Sequence, residues 1–337
     1  MKTHLLLNSV WYQKKLPFYL YPLMPLSWIY FLIVFIRRKL YQWGIFQTHT
    51  FSVPVIVVGN ITVGGTGKTP LVMHIFELLK RRGFRPGIVS LGYKGSHLAP
   101  TSVTSESSPH LVGDEALLLV NKLNCPMVVG KNRVKAVEML LNSGQVDIII
   151  SDDGLQHYAL ARTIEIAVIE AERRFGNGFG LPLGPLREPI SRLQSVNLRV
   201  AKGGGQYSNI ENSEYEMEIT QDKLQNAFDN SLQQALSFFK DTKVHAIAGI
   251  GNPNRFFKSL SDQQISVIPH PYPDHYFYKA EDIQFNDNLP IIMTEKDAVK
   301  CKGFLTPNHW ILNMKGMLNP LFDARLIMLL QEGITHG

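Results

Sequence analysis

Val53-Pro54-Val55-Ile56-Val57-Val58-Gly59-Asn60-Ile61-Thr62-Val63-Gly64-Gly65-Thr66-Gly67-Lys68-Thr69-Pro70 opens on an apolar strand, passes through a glycine-rich turn and runs into a helix. A turn of this composition lets successive backbone N–H groups point into one concavity, and the helix N-terminus adds partial positive charge there. The pattern is that of a phosphate-binding loop formed by Thr62, Val63, Gly64, Gly65, Thr66, Gly67, Lys68 and Thr69. Lys68 is expected to reach the outer phosphates of ATP as a point charge, and the Thr69 hydroxyl to help hold Mg²⁺. The full motif has glycine where this chain has Thr62.

The surroundings support a strand–turn–helix unit. Pro70 falls where an early helical residue lacks an intrahelical N–H bond anyway, and Leu71, Val72, Ile75, Leu78 and Leu79 recur on one helical face. Arg81-Arg82-Gly83 reads as the helix end, and a second apolar segment, Ile88-Val89-Ser90-Leu91, follows Pro86. Further along come Met127-Val128-Val129, a helix over 134–141, Val146-Asp147-Ile148-Ile149-Ile150 and the run 164–169. Strands alternating with helices predict an α/β fold built on a mainly parallel sheet, like that of P-loop NTPases.

The rhythm breaks over 175–189 into Gly and Pro with Arg173, Arg174 and Arg187 interspersed, too long for a mere connection. Two extended segments at 196–200 and 215–219 flank a Gly-rich polar stretch and read as a β-ribbon linker. A second, smaller α/β domain then starts at Val244-His245-Ala246-Ile247-Ala248, with strands at 265–268, 290–293 and 310–312 and a closing helix over 321–330. The expected division is an N-terminal membrane-associated segment at 1–45, a nucleotide-binding core at 46–200, the linker at 201–220 and the second domain at 221–337. The turn Gly249-Ile250-Gly251 lacks the third glycine of a dinucleotide fingerprint and reads as strand–helix packing.

With 337 residues the chain can hold two cores, and a formal charge of +6 permits anionic partners without the tails of a nucleic-acid binder. No nucleic-acid partner is expected. Cys125 and Cys301 alone exclude a disulfide framework and a paired-cysteine metal site, and fit a reducing cytosol. The N-terminus differs from this soluble picture. No charge occurs over 16–36, and Trp28, Tyr30, Phe31 and Phe35 are residues favoured at membrane interfaces. Pro17, Pro22 and Pro25 leave 26–36 as an uninterrupted apolar helix of about 16 Å, half of a hydrocarbon core. Lys14-Lys15 and Arg37-Arg38-Lys39 flank it, as in a segment with both ends at the cytoplasmic face. Both a span and an interfacial anchor remain open at this point.

The strand 146–150 ends in Ser151-Asp152-Asp153-Gly154, and carboxylates at the C-terminal end of a parallel strand face the same crevice as the phosphate loop. Gly113-Asp114-Glu115 precedes an apolar helix, where acidic residues are also favoured as simple helix starters. His270-Pro271-Tyr272-Pro273-Asp274-His275-Tyr276 carries two imidazoles suited to proton chemistry near neutral pH, without the companions a zinc site needs. Thr294-Glu295-Lys296-Asp297 resembles the guanine-reading N-K-x-D only loosely, which disfavours GTP.

Taken in order, the loop at 59–70, Gly113-Asp114-Glu115, Asp152-Asp153-Gly154-Leu155-Gln156-His157, Gly184-Pro185-Leu186-Arg187-Glu188-Pro189, Gly249-Ile250-Gly251-Asn252-Pro253, Pro273-Asp274-His275 and Thr294-Glu295-Lys296-Asp297-Ala298 resemble tetraacyldisaccharide 4′-kinase, the lipid A kinase of Gram-negative bacteria. The resemblance covers nearly the whole chain and tolerates a hydroxyl residue at Thr62. It differs at Ala116 and Leu155, where the family often has Pro and Phe. It implies transfer of the ATP γ-phosphate to the 4′-hydroxyl of a tetraacylated glucosamine disaccharide 1-phosphate at the inner membrane. It further implies Lys68, Asp114 and His275 as catalytic residues, with Asp114 as base and His275 orienting it. Thr69, Glu115, Asp152 and Asp153 are implied around Mg²⁺, and Asn60, His157 and Arg187 on the lipid A disaccharide precursor. If His275 acts from the second domain, closure of the two domains is expected to assemble the site, with the ribbon near 196–219 in a gating role. The alternative function is a P-loop ATPase or GTPase acting as a maturation or switch factor at the membrane.

Overall fold

The computed structural model describes residues 10–13, 16–64, 66–203, 214–221 and 223–335. Gly65 of the glycine turn, Lys14, Lys15 and the stretch 204–213 of the expected linker lie outside the described residues. The chain forms two compact units. The first comprises Met1–Leu91, Asn132–Glu218 and Met317–Gly337, and the second Gly92–Lys131 and Ile219–Gly316.

In the first unit a parallel sheet runs in the order Glu214–Thr220, Leu198–Lys202, Ile164–Glu170, Val55–Gly59, Ile148–Asp152, Pro86–Ser90. The three strands Val55–Gly59, Ile148–Asp152 and Pro86–Ser90 are buried along their whole length. Burial on both faces is why they read as continuous apolar runs rather than alternating ones. Helix Lys68–Arg81 buries Leu71, Val72, Ile75, Phe76, Leu78 and Leu79, the stripe its periodicity predicts. Each such side chain contributes about 2 kcal/mol of apolar burial. Helix Pro320–Thr335 adds Phe322, Leu326 and Leu330 and is tied by Asp323 to His74 at 2.6 Å.

The Ile148 strand inserts between the loop strand and Pro86–Ser90, pairing Val58 with Asp152. The carboxylate turn is thereby brought beside the phosphate loop. A Cβ on Gly59 would stand 2.8 Å from Leu155 Cγ, so only glycine permits that close approach.

The second unit holds a six-stranded sheet in the order Gln233–Ala235, Lys223–Asn226, His309–Leu312, Ile291–Thr294, Lys243–Ala248, Ser266–Pro271. Its last four strands pair in parallel, and the first two join antiparallel. Val244, Ala246 and Ala248 enter one core with Phe256, Phe257 and Leu260 of helix Pro253–Ser261, while Ile247 enters the other with Tyr278, Ile283 and Met293. This period-two alternation assigns each strand residue its face. Helix Asp114–Leu123 belongs to the same unit, where Lys122 pairs with Glu295 at 2.6 Å.

Two differences from the sequence-based expectations stand out. The extended segments taken for a linker are Leu198–Lys202 and Glu214–Thr220, parallel neighbours in the first unit's sheet. The expected borders at 200 and 220 also give way to units assembled from separated pieces, with 92–131 in the second unit and 317–337 in the first. The reason is physical: periodicity reports that a face is buried, but not which sheet buries it.

The N-terminal helix runs over Met24–Gln42, longer than predicted. Pro25 sits in the first turn, where its missing N–H removes no bond, and no breaker follows before Trp43-Gly44. One face is docked, with Ser27 Oγ donating to the Gly180 carbonyl at 2.9 Å and Tyr30 Oη to the Arg187 carbonyl at 3.0 Å. Leu26, Trp28, Leu32, Ile33 and Phe35 are exposed. Phe18–Gln42 is long and apolar enough to cross a membrane by length and composition.

Candidate functional site

The phosphate-loop cluster lies in the first unit. Gly67 has φ +84, a left-handed backbone from which helix Lys68–Arg81 starts. A Cβ there would also meet Lys202 Cδ at 2.4 Å. Lys68 Nζ donates to Asn60 Oδ1 at 3.2 Å and lies 3.3 Å from Asp153 Oδ1. Asn60 is fully buried and donates through Nδ2 to the Thr62 carbonyl at 2.8 Å, so the strand end and the loop hold one another.

Thr62 bridges to Leu186, the Val63 N–H donates to the Pro185 carbonyl at 2.8 Å, and the Arg187 N–H to the Ile61 carbonyl at 2.7 Å. The Gly184-Pro185-Leu186-Arg187 segment therefore braces the loop where the motif lacks its first glycine. Arg187 Nη1 forks onto Asp153 at 3.2 and 3.3 Å. Burial alone would raise the Asp153 carboxyl; the charges of Lys68 and Arg187 outweigh it and hold the group below its ordinary value. Asp153 has φ +50, a conformation an aspartate adopts at a cost of about 1–2 kcal/mol.

Asp152 is buried and accepts from Ser90 Oγ at 3.2 Å. His157 is pushed down to about 4 by burial, reinforced by Arg133, so it presents a neutral imidazole at pH 7. Thr66 Oγ1 is buried and, among the described residues, has no hydrogen-bond partner. An orphaned hydroxyl, the helix start and Lys68 together fit a polyphosphate. Among the described residues no three or more His, Cys, Asp or Glu side chains form a metal cage. The nearby oxygen donors, Asp152, Asp153 and the Thr69 hydroxyl, fit Mg²⁺, which is bound by one or two carboxylates together with substrate phosphates.

The second unit carries a cluster of its own. Asp114 stands at the start of helix Asp114–Leu123 and does more than begin it. Its carboxylate faces His275 Nδ1 at 2.8 and 2.9 Å, and Oδ1 accepts the Glu115 N–H at 2.9 Å. A carboxylate only accepts, so Nδ1 carries the imidazole proton. Both residues are buried, and His275 holds φ +63 against the Tyr93 ring edge. Asp114 and His275 lie in the same unit, which corrects the expected assignment of Asp114 to the 46–200 core. The pair is already formed by the local fold.

Lys296 completes this cluster and had no role in the sequence reading. Its Nζ lies 3.2 Å from Glu115 Oε1, 3.3 Å from Asp274 Oδ1, 3.3 Å from His275 Nε2 and 3.9 Å from Asp114 Oδ2. Burial would lower the ammonium, but Glu115, Asp114 and Asp274 outweigh it and hold the group above its ordinary value. Burial likewise would raise Asp114, while the His275 hydrogen bond and the Lys296 charge keep it lowered and ionised. Glu115, expected near a metal, is thus engaged by Lys296. The neighbouring Asp297 is fully buried and accepts from Thr294 Oγ1, Tyr278 Oη and the Gly249 N–H, which pins the Gly249-Ile250-Gly251 turn as packing. The available signal for Lys296 was its place just after strand Ile291–Thr294, inside a motif that the resemblance included without giving the lysine a role.

The family model described as tetraacyldisaccharide-1-P 4′-kinase matches residues 20–331. The chain belongs to that family. A tetraacyldisaccharide 4′-kinase of Nitrosococcus oceani is 46% identical over 97% of this chain and 95% of the relative. One of Coxiella burnetii is 49% identical over 84% of this chain and 82% of its own length. The crystal structure of "apo" form LpxK from Aquifex aeolicus in complex with ATP superposes with a TM-score of 0.77 at 27% identity, covering 92% of this chain and 98% of that one. Membership in the 4′-kinase family accounts for the P-loop kinase fold.

Proposed function

We infer that the protein is a lipid kinase that transfers the γ-phosphate of ATP to the 4′-hydroxyl of a tetraacyldisaccharide 1-phosphate in lipid A biosynthesis. The observation that carries this reading is the 4′-kinase family match over 20–331, which contains Lys68 at the start of its helix. Phosphoryl transfer demands position and charge neutralisation more than covalent chemistry. Lys68 supplies a fixed cation at the helix start, and Arg187 and Lys68 keep Asp153 ionised beside it. Mg²⁺, when bound with ATP, supplies further neutralisation of the phosphate oxygens, with Thr69, Asp152 and Asp153 as its nearest donors.

Asp114 is the proposed base. As a lowered, ionised carboxylate it orients the acceptor hydroxyl and takes its proton as the new O–P bond forms. His275 fixes the carboxylate through Nδ1–H, and Lys296 fixes the imidazole from the opposite ring nitrogen. Asn60, His157 and Arg187 remain proposed acceptor contacts, with neutral His157 able to donate or accept to a sugar hydroxyl.

We also propose that the protein works at the cytoplasmic face of the inner membrane. The substrate's acyl chains stay in the bilayer, so the reacting sugar must be met at its surface. The apolar α-helical part, Met24 to Ile36, is about 20 Å long and reaches the length of a hydrocarbon core only together with the preceding turns Phe18–Leu23. Its docked face, carrying Ser27 and Tyr30, favours insertion from one side over a lipid-surrounded span. The testing experiment uses purified protein, the tetraacylated disaccharide 1-phosphate in uncharged detergent micelles and labelled ATP. Label is expected on the lipid in an Asp114- and Lys68-dependent manner. ATP hydrolysis without lipid labelling would reject the kinase reading in favour of a switch ATPase.

A further inference from the structure

The last turns of the N-terminal helix border a cleft that the phosphotransfer chemistry leaves unused. Its volume is 270 Å³, and its walls include Val34, Phe35, Arg38, Lys39, Glu188 and Arg192. All belong to the first unit. One water takes about 30 Å³ of liquid, so the space holds several waters or a phosphodiester headgroup.

The cations here are underused. Arg38 Nη2 and Arg192 Nη1 both donate to a single hydroxyl, Ser195 Oγ, at 2.9 and 2.6 Å. Arg192 is buried, is held by Glu165 and lies 3.8 Å from Glu188. Arg38 and Lys39 form no ion pair with any carboxylate among the described residues, and Lys39 lies over the Phe35 ring. Glu188 is the one carboxylate on the cleft wall, and its oxygens already accept from Gln156 and Tyr158. With Arg192 balanced by Glu165 and Glu188, Arg38 and Lys39 are the cations left to attract an anion, and the Arg38 and Arg192 guanidiniums converge on one oxygen as they would on a phosphate oxygen.

Place selects the source of that phosphate. Leu32, Ile33, Phe35 and Ile36 are exposed on the turn just before the basic triplet. A helix dipping that face into a bilayer puts the next turn at the level of the lipid phosphates, with arginine and lysine stems along the apolar boundary. We propose that this cleft binds the phosphate of an anionic membrane phospholipid, separately from nucleotide and acceptor, and so fixes the depth at which the helix sits. The proposal rests on the membrane-surface reading above.

The test is flotation of the full-length protein with two sets of vesicles, pure phosphatidylcholine and phosphatidylcholine containing phosphatidylglycerol. Wild type is expected to partition at least about 100-fold more strongly onto the phosphatidylglycerol vesicles, the scale that three basic residues set. Diffuse attraction accounts for about fivefold per basic residue, so Arg37→Ala, which removes a charge outside the cleft, sets that baseline. Arg38→Ala is expected to lose at least 20-fold on the anionic vesicles and little on the neutral ones. Lys39→Gln, at a more exposed position, is expected to move the same way. Equal losses in Arg37→Ala and Arg38→Ala would reduce the site to diffuse electrostatics and overturn the proposal. Equal wild-type binding to both vesicles would overturn it while leaving the membrane reading standing, whereas binding to neither would remove both. A tenfold rise in KM for the lipid precursor in uncharged micelles on Arg38→Ala would give the cleft to the acceptor, and again overturn it.

Discussion

The polar clusters of the two units are built in opposite ways. Around Lys68 the first unit uses neighbours in sequence: a strand, a glycine turn and a helix start within 55–69, with Asp152 and Asp153 delivered by the adjoining strand. Around Asp114 the second unit gathers a helix start, the 273–275 loop and the end of strand Ile291–Thr294, separated by 161 residues between Asp114 and His275. Backbone groups and one fixed lysine suffice where the ligand is a chain of phosphates, because every N–H of the turn is a donor. Activating a hydroxyl needs an acceptor held at one angle, and that takes side chains braced from several directions. Asp153 and His275 both occupy positive φ, so each cluster stores backbone strain at the residue that touches its key partner.

This comparison predicts separable losses. Asp114→Ala should lower turnover by about 10²–10⁴, the usual range for removing a proton-transfer group, while leaving the Kd for ATP within twofold. Isothermal titration beside the lipid-labelling assay measures both quantities, and a matching loss of ATP affinity would break the proposed division of labour. Lys68→Ala should lower turnover by about 10²–10³ and weaken ATP binding as well, since its cation meets the phosphates in ground and transition state alike. Retention of wild-type turnover by Asp114→Ala would return that residue to the ordinary role of an acidic helix start.

Gly67→Ala probes the backbone side of the contrast. The Lys202 side chain that crowds a new Cβ can swing away, but φ +84 cannot relax without moving the helix start. The expected penalty is about 1–2 kcal/mol, read as a lower melting temperature or, if the loop shifts instead, as roughly tenfold weaker ATP binding. Unchanged values in both measurements would mean that the loop's conformation is not what cradles the phosphates.

Legibility in the sequence follows the same division. The loop, the helix over 68–81 and the strands at 127–129 and 164–170 could be read because hydrophobic period and glycine placement are local signals. The transfer of 92–131 to the second unit could not, since an apolar helix face does not name the sheet that covers it. Asp114 and His275 came from a family pattern, not from spacing. Lys296 was missed because its neighbours Glu115, Asp274 and His275 are remote from it in the chain, and a lysine after a strand is unremarkable until those carboxylates are seen around it.

Acid stability should register both clusters. Asp153 in the first unit and Asp114 in the second have carboxyls held below their ordinary values in the folded chain. Each therefore contributes stability that is fully present above the unfolded-state value of about 3.9 and is lost as pH falls through the lower folded-state value. Thermal denaturation against pH should show a melting temperature that declines below about pH 4, and Asp153→Asn should flatten that decline.

Lys296→Met is the smallest change expected in turnover and the sharpest on the second unit. Removing the ammonium leaves Glu115 and Asp274 facing the His275–Asp114 pair without a counter-charge, so the imidazole loses the partner that fixes its Nε2 side. Turnover should fall about tenfold with the KM for ATP unchanged, and Lys296→Arg should recover part of it because a guanidinium can still bridge the two carboxylates. A lysine that merely stabilised the fold would lower the melting temperature without touching kcat at a temperature where the protein stays folded. Equal kcat in wild type and Lys296→Met there would leave His275 alone in positioning the base.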